Sequence, residues 1–184
     1  MNIANKVSAF RILSVPFFVA TLLYYTPDKE YLRLIALGIF ILAAFSDFID
    51  GYIARKNRQY TPAGSILDPL GDKLLLVTAF VSLYFIDTGI RFPLWVILIV
   101  VSRDVIIVLG IVVIFLVRQR LDLKPSPWGK LTTAFQMLSV ISLLLRLPFC
   151  YIVWWMAVVF TLVSGIQYVR RGFKILYSAN ENIK

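Results

Sequence analysis

Histidine is absent from the 184-residue chain, and cysteine occurs once, at Cys150. Without histidine, a catalytic base has to be Asp, Glu, Lys, Tyr or water, which removes Ser-His and phosphohistidine mechanisms. With one cysteine, no disulfide can close within the chain and no cysteine-based zinc or iron–sulfur site can be assembled. Cys150 itself reads as a small apolar residue in a helix. Acidic residues are scarce as well, ten Asp and Glu against nineteen Lys and Arg, for a formal net charge of +9. Long linkers, low-complexity tracts and internal repeats are also missing, so residues 1–184 are expected to form a single domain.

What is abundant is apolar surface. Hydrophobic residues make up 60% of the chain and the mean hydropathy is +0.83, more than a soluble domain of this length can bury. Six apolar stretches, near 7–26, 32–54, 69–88, 92–117, 131–147 and 149–169, each approach the roughly 20 residues that a helix needs to cross a bilayer. The expected fold is therefore an all-α membrane protein, a bundle of six transmembrane helices. The first stretch is about as long as the apolar part of a signal peptide, but no small-residue cleavage site follows it. Thr26-Pro27-Asp28 reads as a turn leading directly into the next helix, so the segment is expected to stay attached. Leu123-Lys124-Pro125-Ser126-Pro127-Trp128 is expected to break helix between the fourth and fifth spans and to offer an aromatic residue to the interface.

The surplus of positive charge has a pattern. Lys6 and Arg11, then Arg55, Lys56 and Arg58, then Arg118, Arg120, Lys124 and Lys130, and finally Arg170, Arg171, Lys174 and Lys184 fall on one set of alternating loops and ends. The other loops carry mainly Lys29, Arg33, Arg91 and Arg146. By the positive-inside rule both termini are cytoplasmic. Such basic edges attract anionic lipid headgroups by about 1 kcal/mol per residue, so the charge needs no nucleic acid as partner.

Four of the ten acids, Asp47, Asp50, Asp68 and Asp72, sit at the cytoplasmic ends of the second and third stretches. A carboxylate at the centre of a membrane helix is unfavourable by about 2.5–3.5 kcal/mol, and less near the interface, so four together call for cations or a wet cavity. Asp47 and Asp50 are three apart and Asp68 and Asp72 four apart, which places each pair on one face of a helix. The intervening loop, Asn57 to Ala63, is short enough to make the two helices antiparallel neighbours. An oxygen-only cluster of this kind suits Mg²⁺ or Mn²⁺, and two such ions about 3.5–4 Å apart can hold a diphosphate. Gly51 and Gly64 would let phosphates approach the backbone, although either can equally serve close helix packing, and Arg55 offers a planar fork to phosphate oxygens.

The segment Asp47-Phe48-Ile49-Asp50-Gly51-Tyr52-Ile53-Ala54-Arg55, followed at fixed spacing by Gly64, Asp68 and Asp72, resembles the complete D-x2-D-G-x2-A-R-x8-G-x3-D-x3-D signature of the CDP-alcohol phosphatidyltransferases. That resemblance implies an enzyme that exchanges the CMP of a CDP-linked donor, here CDP-diacylglycerol, for an alcohol, within a six-helix bundle that is commonly a homodimer. It implies that Asp47, Asp50 and Asp68 bind the divalent metals and that Asp72, which also approaches a metal, is the catalytic base. Gly51, Ala54, Arg55, Gly64 and Ser65 would line the CDP pocket. The active site would then lie at the cytoplasmic ends of helices 2 and 3, in an enzyme expected in a bacterial inner membrane.

The acceptor is read from flanking segments. Asn5-Lys6-Val7-Ser8-Ala9-Phe10-Arg11 with Pro16, Gly129-Lys130-Leu131-Thr132-Thr133-Ala134-Phe135-Gln136 and Ser164-Gly165-Ile166-Gln167-Tyr168 resemble the phosphatidylglycerophosphate synthase branch of the family, which uses glycerol 3-phosphate. Arg103, Arg118 and Lys130 are the candidate cations for that acceptor's phosphate, and each could instead be a snorkelling residue. Arg103-Asp104 departs from the Arg-Glu usual in that branch and is similar to the pair in CMP-forming cardiolipin synthases, whose acceptor is phosphatidylglycerol. The same pair could also be a structural ion pair. A transporter remains the alternative of another class, but it would spread acids through the membrane depth rather than confine them to one side.

Overall fold

The computed structural model describes residues 3–57, 64–118 and 127–181, with side chains described for residues 10–46, 73–110 and 127–172. Among the described residues every element is helical: α1 (Ile3–Leu23), a 3₁₀ turn (Pro27–Lys29), α2 (Glu30–Asn57), α3 (Gly64–Phe85), α4 (Leu94–Arg118), α5 (Pro127–Leu144) and α6 (Cys150–Glu181). Each of the six apolar stretches thus coincides with a helix. The boundaries shift for local reasons. Thr26 is extended and Pro27 opens the 3₁₀ turn, so α1 stops at Leu23 and α2 starts at Glu30. Of the segment expected to separate the fourth and fifth spans, residues 123–126 lie outside the described residues, and Pro127 begins α5, where its missing N–H has no partner to lose and its fixed φ suits the first turn. The helix α6 continues twelve residues past the expected end at 169. Within it, Cys150–Gly172 is long and apolar enough to cross a membrane, and shorter apolar segments run over Phe10–Leu23 and Lys73–Phe85.

The chain groups into two compact units, residues 1–93 with 139–150, and residues 94–138 with 151–184. In the first, α1 packs along both α2 and α3, which meet each other far more sparsely among the described residues. Ala36, Leu37, Phe40 and Ala43 form the buried stripe of α2, and Phe18 of α1 meets Phe40 with ring centroids 5.9 Å apart. On α3 the buried stripe is Leu75, Leu76, Ala79, Phe80 and Leu83, with Phe80 against Phe92 at 4.5 Å. Helix α1 accommodates Pro16, and the Ser14 and Thr21 hydroxyls donate back to the carbonyls of Phe10 and Phe18, both at 2.8 Å.

One end of this unit is closed by a polar clasp. At the end of α5 the Leu147 N–H reaches the Ser142 carbonyl and the Arg146 N–H reaches that of Leu143, the Schellman pattern, which requires a left-handed residue between them. That residue is Arg146, at φ 54, where glycine is the usual choice. Its side chain explains the exception. Nε donates to the Thr88 carbonyl, Nη1 to Glu30 Oε1 and Nη2 to the Tyr25 hydroxyl, each at 2.6 Å. Arg33 completes the clasp, donating from Nε to Glu30 Oε2 at 3.0 Å and from Nη1 to the Leu144 carbonyl. Gly89, at φ +96, lies against the guanidinium, and a Cβ there would come within 3.0 Å of Arg146 Nε.

In the second unit α6 is held on two sides. Trp155 meets Trp95 of α4 at 4.9 Å, and Phe160 stacks on Phe135 of α5 at 4.8 Å. The Thr132 hydroxyl lies 2.9 Å from the Phe160 carbonyl, and Gln136 Nε2 donates to Thr161 Oγ1 at 3.2 Å.

Candidate active site

The signature residues fall on two helices of the first unit. Asp47, Asp50, Gly51, Ala54 and Arg55 lie on α2, and Gly64, Ser65, Asp68 and Asp72 on α3, whose first residue is Gly64. Because both segments are helical, each aspartate pair is separated by one turn. The side chains of these nine residues lie outside the described residues. Among the described residues no group of three Asp, Glu, His or Cys could hold a metal ion. The donor chemistry still fits one class of ion: four carboxylates, no histidine and no thiol on these helices match a hard divalent cation such as Mg²⁺ or Mn²⁺.

The helix packed against both α2 and α3 supplies a further residue. Arg11, which the sequence offers only as one of the basic residues near the N-terminus, is 2% exposed on α1. A guanidinium withdrawn to that extent serves contacts within the protein rather than lipid headgroups. Its spacing from Asn5 and Ser8, each three residues from the next, was the available signal, since it puts all three on one face of α1.

The three candidate cations for the acceptor have different environments. Arg118 is the last residue of α4, and its side chain lies outside the described residues. Lys130 is exposed in the first turn of α5. Arg103 is buried in α4 and forms an ion pair with Asp104, Nη1 to Oδ1 at 2.7 Å. Its Nη2 donates to Ser164 Oγ on α6 at 2.6 Å. The ion pair expected as one reading of Arg103-Asp104 is therefore present, and a third member that the sequence reading had only as part of a resembling segment joins it.

The sequence model of the CDP-alcohol phosphatidyltransferase family matches residues 1–163. The chain belongs to this family. It is 32% identical to the CDP-diacylglycerol–glycerol-3-phosphate 3-phosphatidyltransferase of Aquifex aeolicus (strain VF5), over 96% of this chain and 99% of that one. It is 31% identical to the protein of the same name from Bacillus subtilis (strain 168), over 97% and 99% of the two chains. A probable phosphatidylglycerophosphate synthase of Mycobacterium tuberculosis (strain H37Rv) is 30% identical over 94% of this chain and 82% of its own. The match to the CDP-alcohol phosphatidyltransferases spans both compact units, so the likeness is not confined to the aspartate helices.

Proposed function

We propose that the protein transfers the phosphatidyl group of CDP-diacylglycerol to glycerol 3-phosphate, releasing CMP and forming phosphatidylglycerophosphate. The observation that carries this reading is near-full-length similarity to relatives bearing that activity in their names, on a chain whose α2 and α3 hold every fixed position of the family signature.

Asp47, Asp50, Asp68 and Asp72 would hold two Mg²⁺ or Mn²⁺ ions, which when bound neutralise diphosphate charge. Gly51, Ala54, Arg55, Gly64 and Ser65 would bind the CDP portion, with the guanidinium of Arg55 matched to phosphate oxygens. Asp72 would accept the proton of the acceptor hydroxyl. As that proton leaves, the acceptor oxygen bonds to the β-phosphorus in line with the bridging oxygen, whose bond to that phosphorus breaks, and CMP departs. Arg103, Arg118 and Lys130 would meet the phosphate of the acceptor.

The setting proposed for this reaction is a multi-pass bundle of six spans, with both termini and the reacting groups on the cytoplasmic side of a bacterial inner membrane. The helices are 18 to 32 residues long, which at 1.5 Å per residue supports spanning or nearly spanning lengths for all six. A homodimer and contacts with membrane lipids belong to the same proposal.

A second acceptor, phosphatidylglycerol, is favoured by one observation, the Arg103-Asp104 pair in place of Arg-Glu. CMP release by purified protein in detergent, with CDP-diacylglycerol and Mg²⁺ or Mn²⁺, separates the two. Release that depends on glycerol 3-phosphate supports the first reading, dependence on phosphatidylglycerol supports cardiolipin synthesis, and no release with any alcohol or metal overturns both.

A further inference from the structure

The Arg103 side chain is buried, with a relative exposure of 9%. A guanidinium carries five N–H donors in a rigid plane, and a buried one is held only as firmly as its partners hold it. Asp104 is the next residue on α4, and adjacent helical residues point about 100° apart, so this carboxylate reaches Nη1 from the side as one fixed point. Ser164 supplies the second fixed point from another helix, accepting from Nη2 at 2.6 Å. Two contacts from different helices define the direction of the fork.

The neighbouring residue completes the seat. A Cβ at Gly165 would stand 3.4 Å from Arg103 Cγ, so the aliphatic stem of the arginine runs beside bare backbone. The Ser-Gly step thus receives the head of Arg103 on a hydroxyl and packs beside its stem. Meanwhile Arg103 Nε is buried and has no hydrogen-bond partner among the described residues. A purely structural ion pair would be expected to occupy that donor, because leaving it bare inside the protein is unfavourable. An oriented guanidinium with an unused N–H suits a ligand bearing phosphate oxygens.

We infer that Ser164 is a positioning residue that orients Arg103 toward the phosphate of the acceptor; this rests on the reading of Arg103 as an acceptor-phosphate ligand. The experiment is steady-state CMP release by the full chain in detergent, with glycerol 3-phosphate and CDP-diacylglycerol varied in turn. Ser164→Ala is expected to raise KM for glycerol 3-phosphate about tenfold, the scale of one hydrogen bond to a charged group, while KM for CDP-diacylglycerol changes less than about twofold. Ser164→Thr, which keeps the hydroxyl, is expected to restore it. In an Arg103→Ala background the serine substitution is expected to add nothing, since its partner is gone. Thr161→Val removes two neutral bonds from the same helix, to Gln136 and to the Ala157 carbonyl, and serves as the structural control, lowering Tm without separating the two KM values. If Arg103→Ala raises KM for glycerol 3-phosphate and Ser164→Ala does not, the positioning role is overturned alone. If Arg103→Ala leaves that KM unchanged, the acceptor role of Arg103 fails and the inference fails with it. Equal rises in both KM values together with a lowered Tm assign Ser164 to packing and overturn the inference.

Discussion

At the scale of single residues, the proposed reading divides labour between carboxylates of identical chemistry, and substitution to the isosteric amide tests that division. Asp72→Asn would remove the proposed proton acceptor while keeping size and polarity, so CMP release is expected to fall by about 10²–10⁴-fold with binding of CDP-diacylglycerol in the presence of Mg²⁺ largely kept. Binding measured by thermal shift alongside turnover checks this, and retained turnover would exclude Asp72 as the base. Asp47→Asn is expected to raise both the metal concentration for half-maximal rate and KM for CDP-diacylglycerol; a metal requirement identical to that of the unmodified protein would remove Asp47 from the ligand set. The spacing of these residues along α2 and α3 was legible because the signature is a string of fixed intervals. The state of the cations was not. Arg11 and Lys130 read alike in the sequence as basic residues near a cytoplasmic edge, yet one is buried in α1 and the other exposed on α5.

At the scale of elements, helices could be read from apolar length, whereas the ties between them could not. Arg33 and Arg146 look like scattered loop charges, but they converge on Glu30 and join segments following α1, α3 and α5 to the start of α2. Arg146→Ala is expected to destabilise the protein by about 1–3 kcal/mol through loss of hydrogen bonds to charged and backbone groups. Arg146→Gly loses the same bonds but suits the left-handed φ, so its thermal midpoint in detergent should exceed that of the alanine variant by the equivalent of about 1 kcal/mol. Equal midpoints would show that the Schellman turn carries no strain at this position. The clasp also predicts a pH dependence. Hydrogen bonding from Arg33, and then from Arg146, holds the Glu30 carboxyl below its ordinary value of 4.5. A depressed folded-state pKa contributes stability that is present above the unfolded value and is lost as pH falls through the folded one. Thermal midpoints should therefore decline below about pH 4.5, and Glu30→Gln should flatten part of that decline.

At the scale of the whole molecule, six hydrophobic helices and an asymmetric distribution of Lys and Arg predict a topology with both ends in the cytoplasm. A reporter that fluoresces only in the cytoplasm should light when fused after Lys184, while an enzyme active only outside should report when fused near Pro148. The reverse pattern would contradict both the orientation and the cytoplasmic placement of the aspartates. Sequence by itself determined the helical class, the six helices to within a few residues at most ends, the family and the spacing of its acids. Each of these is a one-dimensional property, a run of apolar residues or a fixed interval along one helix. Tertiary structure alone decided that Arg146 closes a clasp, that α1 packs against both aspartate-bearing helices, and that Ser164 grips Arg103 across 61 positions of chain. Such partnerships depend on which helix faces meet, and the burial of a charged or polar side chain is set by neighbours that no interval along its own helix encodes.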